Sequence, residues 1–125
     1  MLNILRLLVL ALSFATGTAA AQGYPDKSKI LKIVLPQGPG SVSDLLARAL
    51  AKGITEVSEL NVVIDYKPGA ETVIGVQALL QSPADGYSLL MVSSSTPVFN
   101  VVMVPNLGYD PFRDLVPLVG YAKNM

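Results

Sequence analysis

The chain has 125 residues, of which 51% are apolar and 14% are charged, so it can form one small domain and is too apolar for a disordered chain. Nine basic residues balance nine acidic ones, and the basic residues are scattered singly, which argues against a nucleic-acid partner. The absence of cysteine and histidine excludes disulfides, thiolate catalysis, Ser-His-Asp triads and the usual zinc and haem ligand sets. We therefore expect no metal site and no cofactor.

The first 21 residues have the features of a secretory signal peptide. Arg6 supplies positive charge, Leu7 to Ala15 form an apolar run, and Ala19 to Ala21 match the small-residue pattern of a signal-peptidase site. A membrane anchor is the alternative, but this run falls well short of the roughly 20 apolar residues that cross a bilayer. We therefore expect cleavage after Ala21, an exported mature chain over 22–125, and no stable membrane insertion after cleavage.

Strand and helix patterns alternate along the mature chain. Ile30 to Leu35 is a short apolar run typical of a buried strand, and the loop that follows contains Pro36, Gly38, Pro39 and Gly40. Ser43 and Asp44 form a capping pair for a helix whose predicted apolar face comprises Leu45, Leu46, Ala49, Leu50, Ile54 and Val57.

The same kind of pattern continues beyond this helix. The further predicted elements are a strand at Val62 to Tyr66, a helix from Thr72 to Gln81, a strand at Tyr87 to Val92, a helical turn at Val98 to Met103 and a strand at Val116 to Tyr121. Such alternation predicts right-handed crossovers and therefore an α/β domain, with a doubly wound parallel sheet covered by helices on both faces.

Ligands of such sheets bind beyond the carboxyl ends of the strands. Three predicted loops reach that edge, at 36–43, 67–72 and 93–96, and they are rich in hydroxyl groups and glycine backbone. Asp44 and Glu71 are their only titratable groups suited to proton transfer, and Asp44 is more simply explained as a carboxylate that complements a helix dipole. No residue is present to activate a serine nucleophile. The pattern favours binding by hydrogen bonds over catalysis.

The loops and turns, taken in order, resemble the solute-binding proteins of tripartite tricarboxylate transporters, the Bug or TctC-like family. The segments that carry the resemblance are Tyr24-Pro25, Pro36 to Asp44, Lys67 to Ala70, Pro83 to Tyr87, Thr96 with Asn100, and Tyr109 to Pro111 followed by Asp114. Singly these motifs are weak, but their order and spacing over nearly all of 24–121 are specific. The resemblance implies a periplasmic protein that is not an enzyme.

The resemblance also implies a fold and a ligand. The fold is the type II periplasmic-binding-protein fold, of which 22–125 would be the first part of one lobe. Its ligand is a small organic carboxylate, which the protein hands to membrane transporter subunits. The residues at the family's ligand-binding positions are Gly40, Ser41, Val42 and Ser43 in the first loop, and Ser93, Ser94, Ser95 and Thr96 in the third.

The chain departs from the family pattern at several of these positions. Gln37 replaces an aromatic residue, Ser41 a glycine and Val42 a hydroxyl residue, while Glu71 and Val73 stand at Gly-like and Asn-like positions. Because Glu71 would bring negative charge toward an anion, these departures bear on the ligand class more than on the fold.

A nucleotide- or phosphate-binding enzyme domain is the alternative function. The segment Gly38 to Ser43 lies between a strand and a helix, and it is close to the dinucleotide-binding fingerprint, with Asp65 placed as a ribose ligand. Ser43 occupies the position of the third glycine, however, and Pro36 and Pro39 remove two amide donors from the loop. Both features favour the carboxylate-binding interpretation.

Family members run to roughly twice the mature length or more, so the resemblance implies a truncated binding protein. A lobe of this size would leave its nearly all-apolar second helix short of neighbours and half of the binding cleft missing. We therefore expect marginal stability or self-association, with no tight ligand binding by 22–125 alone.

Overall fold

A computed structural model describes residues 23–122, so the predicted signal peptide and its cleavage site lie outside the described residues. The strands are β1 (Ile30–Leu35), β2 (Asn61–Tyr66) and β3 (Ser88–Leu90). The helices are α1 (Val42–Ser58), α2 (Val73–Leu80), α3 (Ser95–Met103) and α4 (Pro111–Asp114), and a turn of 3₁₀ helix over Ala70–Thr72 precedes α2.

The three strands form a parallel sheet in the order β2-β1-β3. The ladder between β1 and β2 runs from the pair Ile30 and Asn61 to the pair Leu35 and Tyr66. Because β1 has a neighbour on each side and helices above and below, Ile33 is only 1% exposed and Leu35 is fully buried at 0%. The continuous apolar run of β1 reflects this burial on both faces.

Two adjacent residues of β3 show that α1 and α2 cover opposite faces of the sheet. Successive side chains of a strand point to opposite faces. Leu89 packs in the cluster that contains Ile54 of α1, whereas Leu90 packs in the cluster that contains Val73 and Val76 of α2. The domain is therefore the doubly wound α/β fold that the sequence predicts.

The buried face of α1 differs from the predicted one. Ala47 is fully buried and Ile54 is half-buried, whereas Leu45 is 64% exposed and Val57 is 90% exposed. Ala47 packs against Ile33 and Leu35, with Ala51 on the same side of the helix, since residues four apart share a helix face. Leu46 and Ile54 of the predicted face do pack against the core, whereas Leu45, Leu50 and Val57 are left toward solvent.

The prediction of a fourth strand at Val116 to Tyr121 is wrong, because this segment has no regular secondary structure and is exposed. Pro117 lies inside the segment and has no amide hydrogen for a strand ladder. Before this segment the chain forms the short helix α4, which the sequence pattern did not predict. Asp110 begins it by accepting a hydrogen bond from the amide of Phe112, and Pro111 occupies the first helical position.

The last part of the described chain exposes apolar side chains. In α3, Phe99 is 62% exposed, Val102 is 81% exposed and Met103 is 72% exposed, and the helix has no charged residue. Phe112 of α4 is 79% exposed. No helix within residues 23–122 combines the length and the apolarity needed to cross a membrane.

Candidate functional site

Three loops leave the sheet at its carboxyl edge, after Leu35, Tyr66 and Leu90. Because all three strands are parallel, these loops lie on the same edge, and the loop after β1 lies between the other two. The loops that hold the predicted ligand-binding residues therefore come from β1 and β3, which are adjacent strands. This arrangement agrees with the prediction that they share one edge.

The first loop ends at the amino terminus of α1, where the four predicted residues occupy consecutive capping positions. Gly40 has a φ of 84°, which glycine adopts without strain, and it directly precedes the cap. Ser41 is the N-cap, and its hydroxyl accepts a hydrogen bond from the Asp44 amide at 3.1 Å. Val42 is 75% exposed and Ser43 is half-buried in the first turn. The cap is thus Ser41, which corrects the prediction that Ser43 and Asp44 cap this helix.

The Asp44 carboxylate holds the first loop in place. The side chain is only 4% exposed, and its Oδ2 atom accepts a hydrogen bond from the Gly40 amide at 2.8 Å. Its Oδ1 atom accepts bonds from the Tyr66 hydroxyl at 2.6 Å and from Arg48 Nε at 2.9 Å. Arg48 Nη2 also donates to the Tyr66 hydroxyl at 2.7 Å. Asp44 therefore ties the loop after β1 to the last residue of β2, and it is fully occupied by structural contacts.

These contacts shift the pKa values of the groups involved. The hydrogen bond from Tyr66 is the main cause that holds the pKa of the Asp44 carboxyl below its ordinary value of 3.8; the bonds from Gly40 and Arg48 act in the same direction, and burial opposes them. The same hydrogen bond raises the pKa of the Tyr66 hydroxyl above its ordinary value of 10.0. Asp44 is thus ionised at neutral pH, in agreement with its interpretation as a helix-terminus carboxylate and not as a general base.

The predicted loop at 93–96 is in large part the start of α3. Ser94 precedes the helix as its N-cap, and Ser95 and Thr96 are its first residues. Ser93 and Ser94 are exposed, Thr96 is half-buried, and the Thr96 amide donates to the Ser93 carbonyl at 3.0 Å. The helix begins three residues earlier than the predicted start at Val98. Hydroxyl groups of this segment therefore lie at a helix amino terminus, as those of the first loop do.

The second loop contains an unusual backbone turn that sequence reasoning missed. Gly69 has a φ of 121°, and the next three residues are also left-handed, with φ values of 46° for Ala70, 48° for Glu71 and 73° for Thr72. Left-handed backbone costs a residue other than glycine about 1–2 kcal/mol. Thr72 is the N-cap of α2, as predicted, but its side chain makes no capping hydrogen bond.

The buried amide of Asn100 contacts this turn. Asn100 is 3% exposed, and its Nδ2 atom lies 3.0 Å from the Glu71 carbonyl oxygen and 3.4 Å from Thr72 Oγ1. Nδ2 also donates to the Tyr109 hydroxyl at 3.1 Å, and Tyr109 packs against Val73 in the core. In the sequence, Asn100 stands out only as part of a family motif. Its contacts with Glu71 and Thr72 span 29 and 28 positions and that with Tyr109 spans nine, so no local pattern pointed to them.

One polar group near the first loop lacks a partner. Gln37 Oε1 is buried and has no hydrogen-bond donor within the part of the chain that the structure describes. A buried acceptor without a donor costs about 1–3 kcal/mol.

Two shallow hollows lie away from the predicted residues. One, of about 530 Å³, lies toward the amino-terminal edge of the sheet and is lined by Lys29, Pro83 and Tyr87, among others. The other, of about 420 Å³, lies beside α1 and β2 and is lined by Arg48, Val62 and Tyr66, among others. Neither hollow lies over the loops after β1 and β3. Val42, Ser93 and Ser94 at those loops are exposed, so a hydrogen bond from them to a ligand contributes about 1 kcal/mol net.

The chemistry of this edge is that of neutral hydrogen-bond donors. The amides of Val42 and Ser43 have no acceptor within α1, and the helix dipole makes them favourable to an anion. Two cations beside the first and second loops are paired with carboxylates: Arg48 with Asp44 at 2.9 Å, and Lys67 with Asp65 at 3.3 Å. No group of three or more acidic side chains within residues 23–122 is placed to hold a metal ion.

Comparisons with known proteins agree with this architecture. The family model described as the tripartite tricarboxylate transporter family receptor matches residues 46–124. A solved structure described as that of a periplasmic transporter superposes with a TM-score of 0.63 at 30% sequence identity, and the match covers 71% of this chain and 29% of the other. The sheet is thus similar to part of a periplasmic binding fold.

Curated relatives extend the similarity to most of the chain. Protein BugT of Bordetella pertussis is 37% identical over 123 residues, which is 94% of this chain and 37% of the relative. A UPF0065 protein of Bordetella bronchiseptica is 33% identical over 112 residues, which is 90% of this chain and 33% of the relative. The chain spans about a third of the length of these relatives. On the family match and these identities, the chain belongs to the tripartite tricarboxylate transporter receptor family.

Proposed function

We propose that this chain carries part of the ligand-binding surface of a periplasmic solute receptor, and that the solute is a small organic carboxylate. Two observations carry the proposal. One is the family match, and the other is that α1 and α3 begin at the same edge of the sheet, after the adjacent strands β1 and β3. Gly40, Ser41, Val42 and Ser43 are proposed to contact the solute from one strand. The residues proposed to contact it from the other are Ser93, Ser94, Ser95 and Thr96.

The physical basis is the match between these groups and a carboxylate. A carboxylate needs several preorganised donors, and amides at a helix amino terminus supply them along a favourable dipole. Preorganisation comes from Asp44, since its bonds to Gly40, Arg48 and Tyr66 fix the loop that leads into α1. Because the donors are neutral, the surface binds a negative group without a cation.

The role in the cell follows from the family. The receptor would capture its solute outside the cytoplasmic membrane and deliver it to membrane transporter subunits, without chemical conversion of the solute. The predicted signal peptide, with cleavage after Ala21, would export it to the periplasm. These proposals concern the whole receptor, of which the chain corresponds to about a third.

Isothermal titration calorimetry with a panel of solutes tests the proposal. The panel comprises succinate, citrate, L-glutamate and a neutral aromatic compound. We expect weak, saturable binding of at least one carboxylate and none of the neutral compound. Ser43→Ala should weaken that binding about fivefold, since a hydrogen bond contributes about 1 kcal/mol. Ser28→Ala is the matched control, because Ser28 bonds to Asp26 before β1, away from the carboxyl edge.

Other outcomes would contradict the proposal. Binding of the neutral aromatic in preference to every carboxylate would show that the ligand class is wrong. Conversion of a bound compound, followed by NMR, would show an enzyme. A thermal shift with NAD or ATP but with no carboxylate would favour the nucleotide-binding alternative, although Asp65, the residue that this alternative needs for the ribose, is paired with Lys67 at 3.3 Å.

A further inference from the structure

The turn before α2 contains three left-handed residues in succession, none of which is glycine. Ala70, Glu71 and Thr72 have φ values of 46°, 48° and 73°. Residues with a Cβ atom adopt this conformation singly and rarely in runs, because the Cβ atom approaches the following carbonyl oxygen. Such backbone persists where the surrounding structure holds it. Contacts from outside the turn are therefore needed to explain it.

The turn's own hydrogen bonds are few. The Thr72 amide donates to the Gly69 carbonyl at 3.0 Å. Glu71 precedes Thr72, the N-cap of α2, so its carbonyl lies outside the hydrogen-bond ladder of that helix. The donor that it receives is Nδ2 of Asn100, at 3.0 Å.

Asn100 is suited to hold the turn, because it cannot easily move. Its side chain is buried at 3% exposure in α3, and Nδ2 is also bonded to the Tyr109 hydroxyl at 3.1 Å. Tyr109 is itself 8% exposed and packs with Val73 and Val76 of α2. The amide thus joins α3 to the turn, and the tyrosine joins the amide to the helix that follows the turn.

We propose that Asn100 is a positioning residue, which holds the left-handed turn Ala70–Thr72 against α3 and so fixes the loop after β2 relative to the loop after β3. The proposal rests on the proposed function in one respect, namely that these loops border a ligand surface. Asn100 does not touch the ligand. Asn100 sets the distance between the loops after β2 and β3. The hydrogen bond from Tyr66 to Asp44 does the same for the loops after β1 and β2.

Amide hydrogen exchange followed by NMR tests this without a ligand. The variant Asn100→Leu keeps the approximate size of the side chain and removes its donors. We expect the amides of Thr72 and Val73, which bond to Gly69 and Ala70, to exchange at least tenfold faster. Amides of the sheet edge, such as that of Met91, which donates to Val34, should change less than twofold.

A glycine variant separates positioning from general stability. In Glu71→Gly the middle residue of the turn adopts the left-handed conformation without strain, so the turn depends less on Asn100. In the double variant E71G/N100L we expect the Thr72 amide to return to within threefold of its original exchange rate. If Asn100→Leu alone does not fold, the double variant decides the test, since recovery of a folded chain with a protected Thr72 amide would show that Asn100 acts through this turn. Asn61→Leu, at an exposed asparagine of β2, is the matched control and should leave Thr72 unchanged.

Two results would overturn the proposal. One is unchanged exchange at Thr72 and Val73 in Asn100→Leu. The other is faster exchange throughout the chain that Glu71→Gly does not reverse, which would show a merely structural role. Calorimetry with succinate, citrate and L-glutamate is a separate measurement, so absence of binding would count against the proposed function and leave the exchange result to decide the role of Asn100.

Discussion

The β1–α1 region and the region from α3 onward are both rich in apolar residues, but these residues are buried in β1 and largely exposed in α3. In β1, Ile33 and Leu35 are 1% and 0% exposed, because helices and neighbouring strands surround them. In α3, Phe99 and Val102 are 62% and 81% exposed although the helix has no charged residue. Apolar composition thus does not by itself determine burial; the number of packing partners does.

The two regions also differ in how their proposed ligand-facing loops are held. The Asp44, Arg48 and Tyr66 network fixes the first loop by contacts inside the β1–α1–β2 unit. The third loop begins an exposed helix whose one buried polar anchor within the described chain is Asn100. We therefore expect perturbations of the first region to be transmitted to the whole domain and those of the second to remain local or to affect association.

Truncation of one apolar side chain in each region should give the largest difference. Leu35→Ala should lower the free energy of unfolding by about 2–5 kcal/mol, because it leaves a cavity at the centre of the sheet. Val102→Ala should change it by no more than about 0.5 kcal/mol, because the side chain is 81% exposed. Urea unfolding followed by circular dichroism measures both. Equal losses of unfolding free energy in the two variants would show that Val102 of α3 is buried as deeply as Leu35 of β1.

Two Gly→Ala substitutions should have opposite signs. A Cβ atom at Gly75 would lie 2.8 Å from Cβ of Pro36, so Gly75→Ala should destabilise by about 1–3 kcal/mol. Gly53 in α1 has nothing within 4 Å of such an atom, so Gly53→Ala should stabilise the helix by about 1 kcal/mol. The thermal midpoints of the two variants check this. A stable Gly75→Ala variant would mean that α2 does not pack closely on the first loop.

Lysine substitutions should separate the two regions by their effect on self-association. We expect the chain to associate through the exposed side of α3, so Val102→Lys should weaken association at least about tenfold, or about 1.4 kcal/mol. Val57→Lys should weaken it less than about threefold, since α1, unlike α3, already carries exposed charges such as the Lys52 and Glu56 pair. Sedimentation equilibrium over a range of concentrations measures both constants. A wild-type chain that stays monomeric throughout would contradict the expectation.

The smallest expected effect is a pH dependence from the Asp44 network. Tyr66→Phe removes the main cause of the lowered pKa of Asp44, so that pKa should rise toward 3.8. A lowered folded-state pKa stabilises the fold above the unfolded value, and this stabilisation is lost as the pH falls through the folded value. The stability difference between wild type and variant should therefore be fully present above about pH 4 and shrink below it.

The measurement is an NMR titration of the Asp44 carboxyl carbon together with urea unfolding at several pH values. Tyr24→Phe serves as the control, because Tyr24 is 66% exposed and its hydroxyl bonds to the Gly86 carbonyl at 3.2 Å. It should leave the pKa of Asp44 unchanged. An unchanged pKa in Tyr66→Phe would show that the tyrosine does not hold the first loop.

Much of the fold was predictable because its signals are local. The apolar run Ile30–Leu35 is the observed β1, and the turn residues between the elements separate the strands and helices as expected. The parallel sheet followed from the alternation of strands and helices, which permits few topologies. The failures were also physical: Val116 to Tyr121 forms no ladder with the three strands, and the sheet-facing side of α1 is centred on Ala47 and Ala51 with Leu46, not on Leu45 and Val57.

The sequence by itself determined the order of the elements from β1 to α3 and the edge of the sheet at which the hydroxyl-rich loops lie, because turn residues and hydrophobic periodicity act over a few positions. Only the tertiary structure decided how these loops are held. Tyr66 reaches Asp44 across 22 positions, and Asn100 reaches Glu71 across 29. Such contacts depend on how the helices pack on the sheet, and side-chain hydrogen bonds over these separations leave no periodic trace in the sequence.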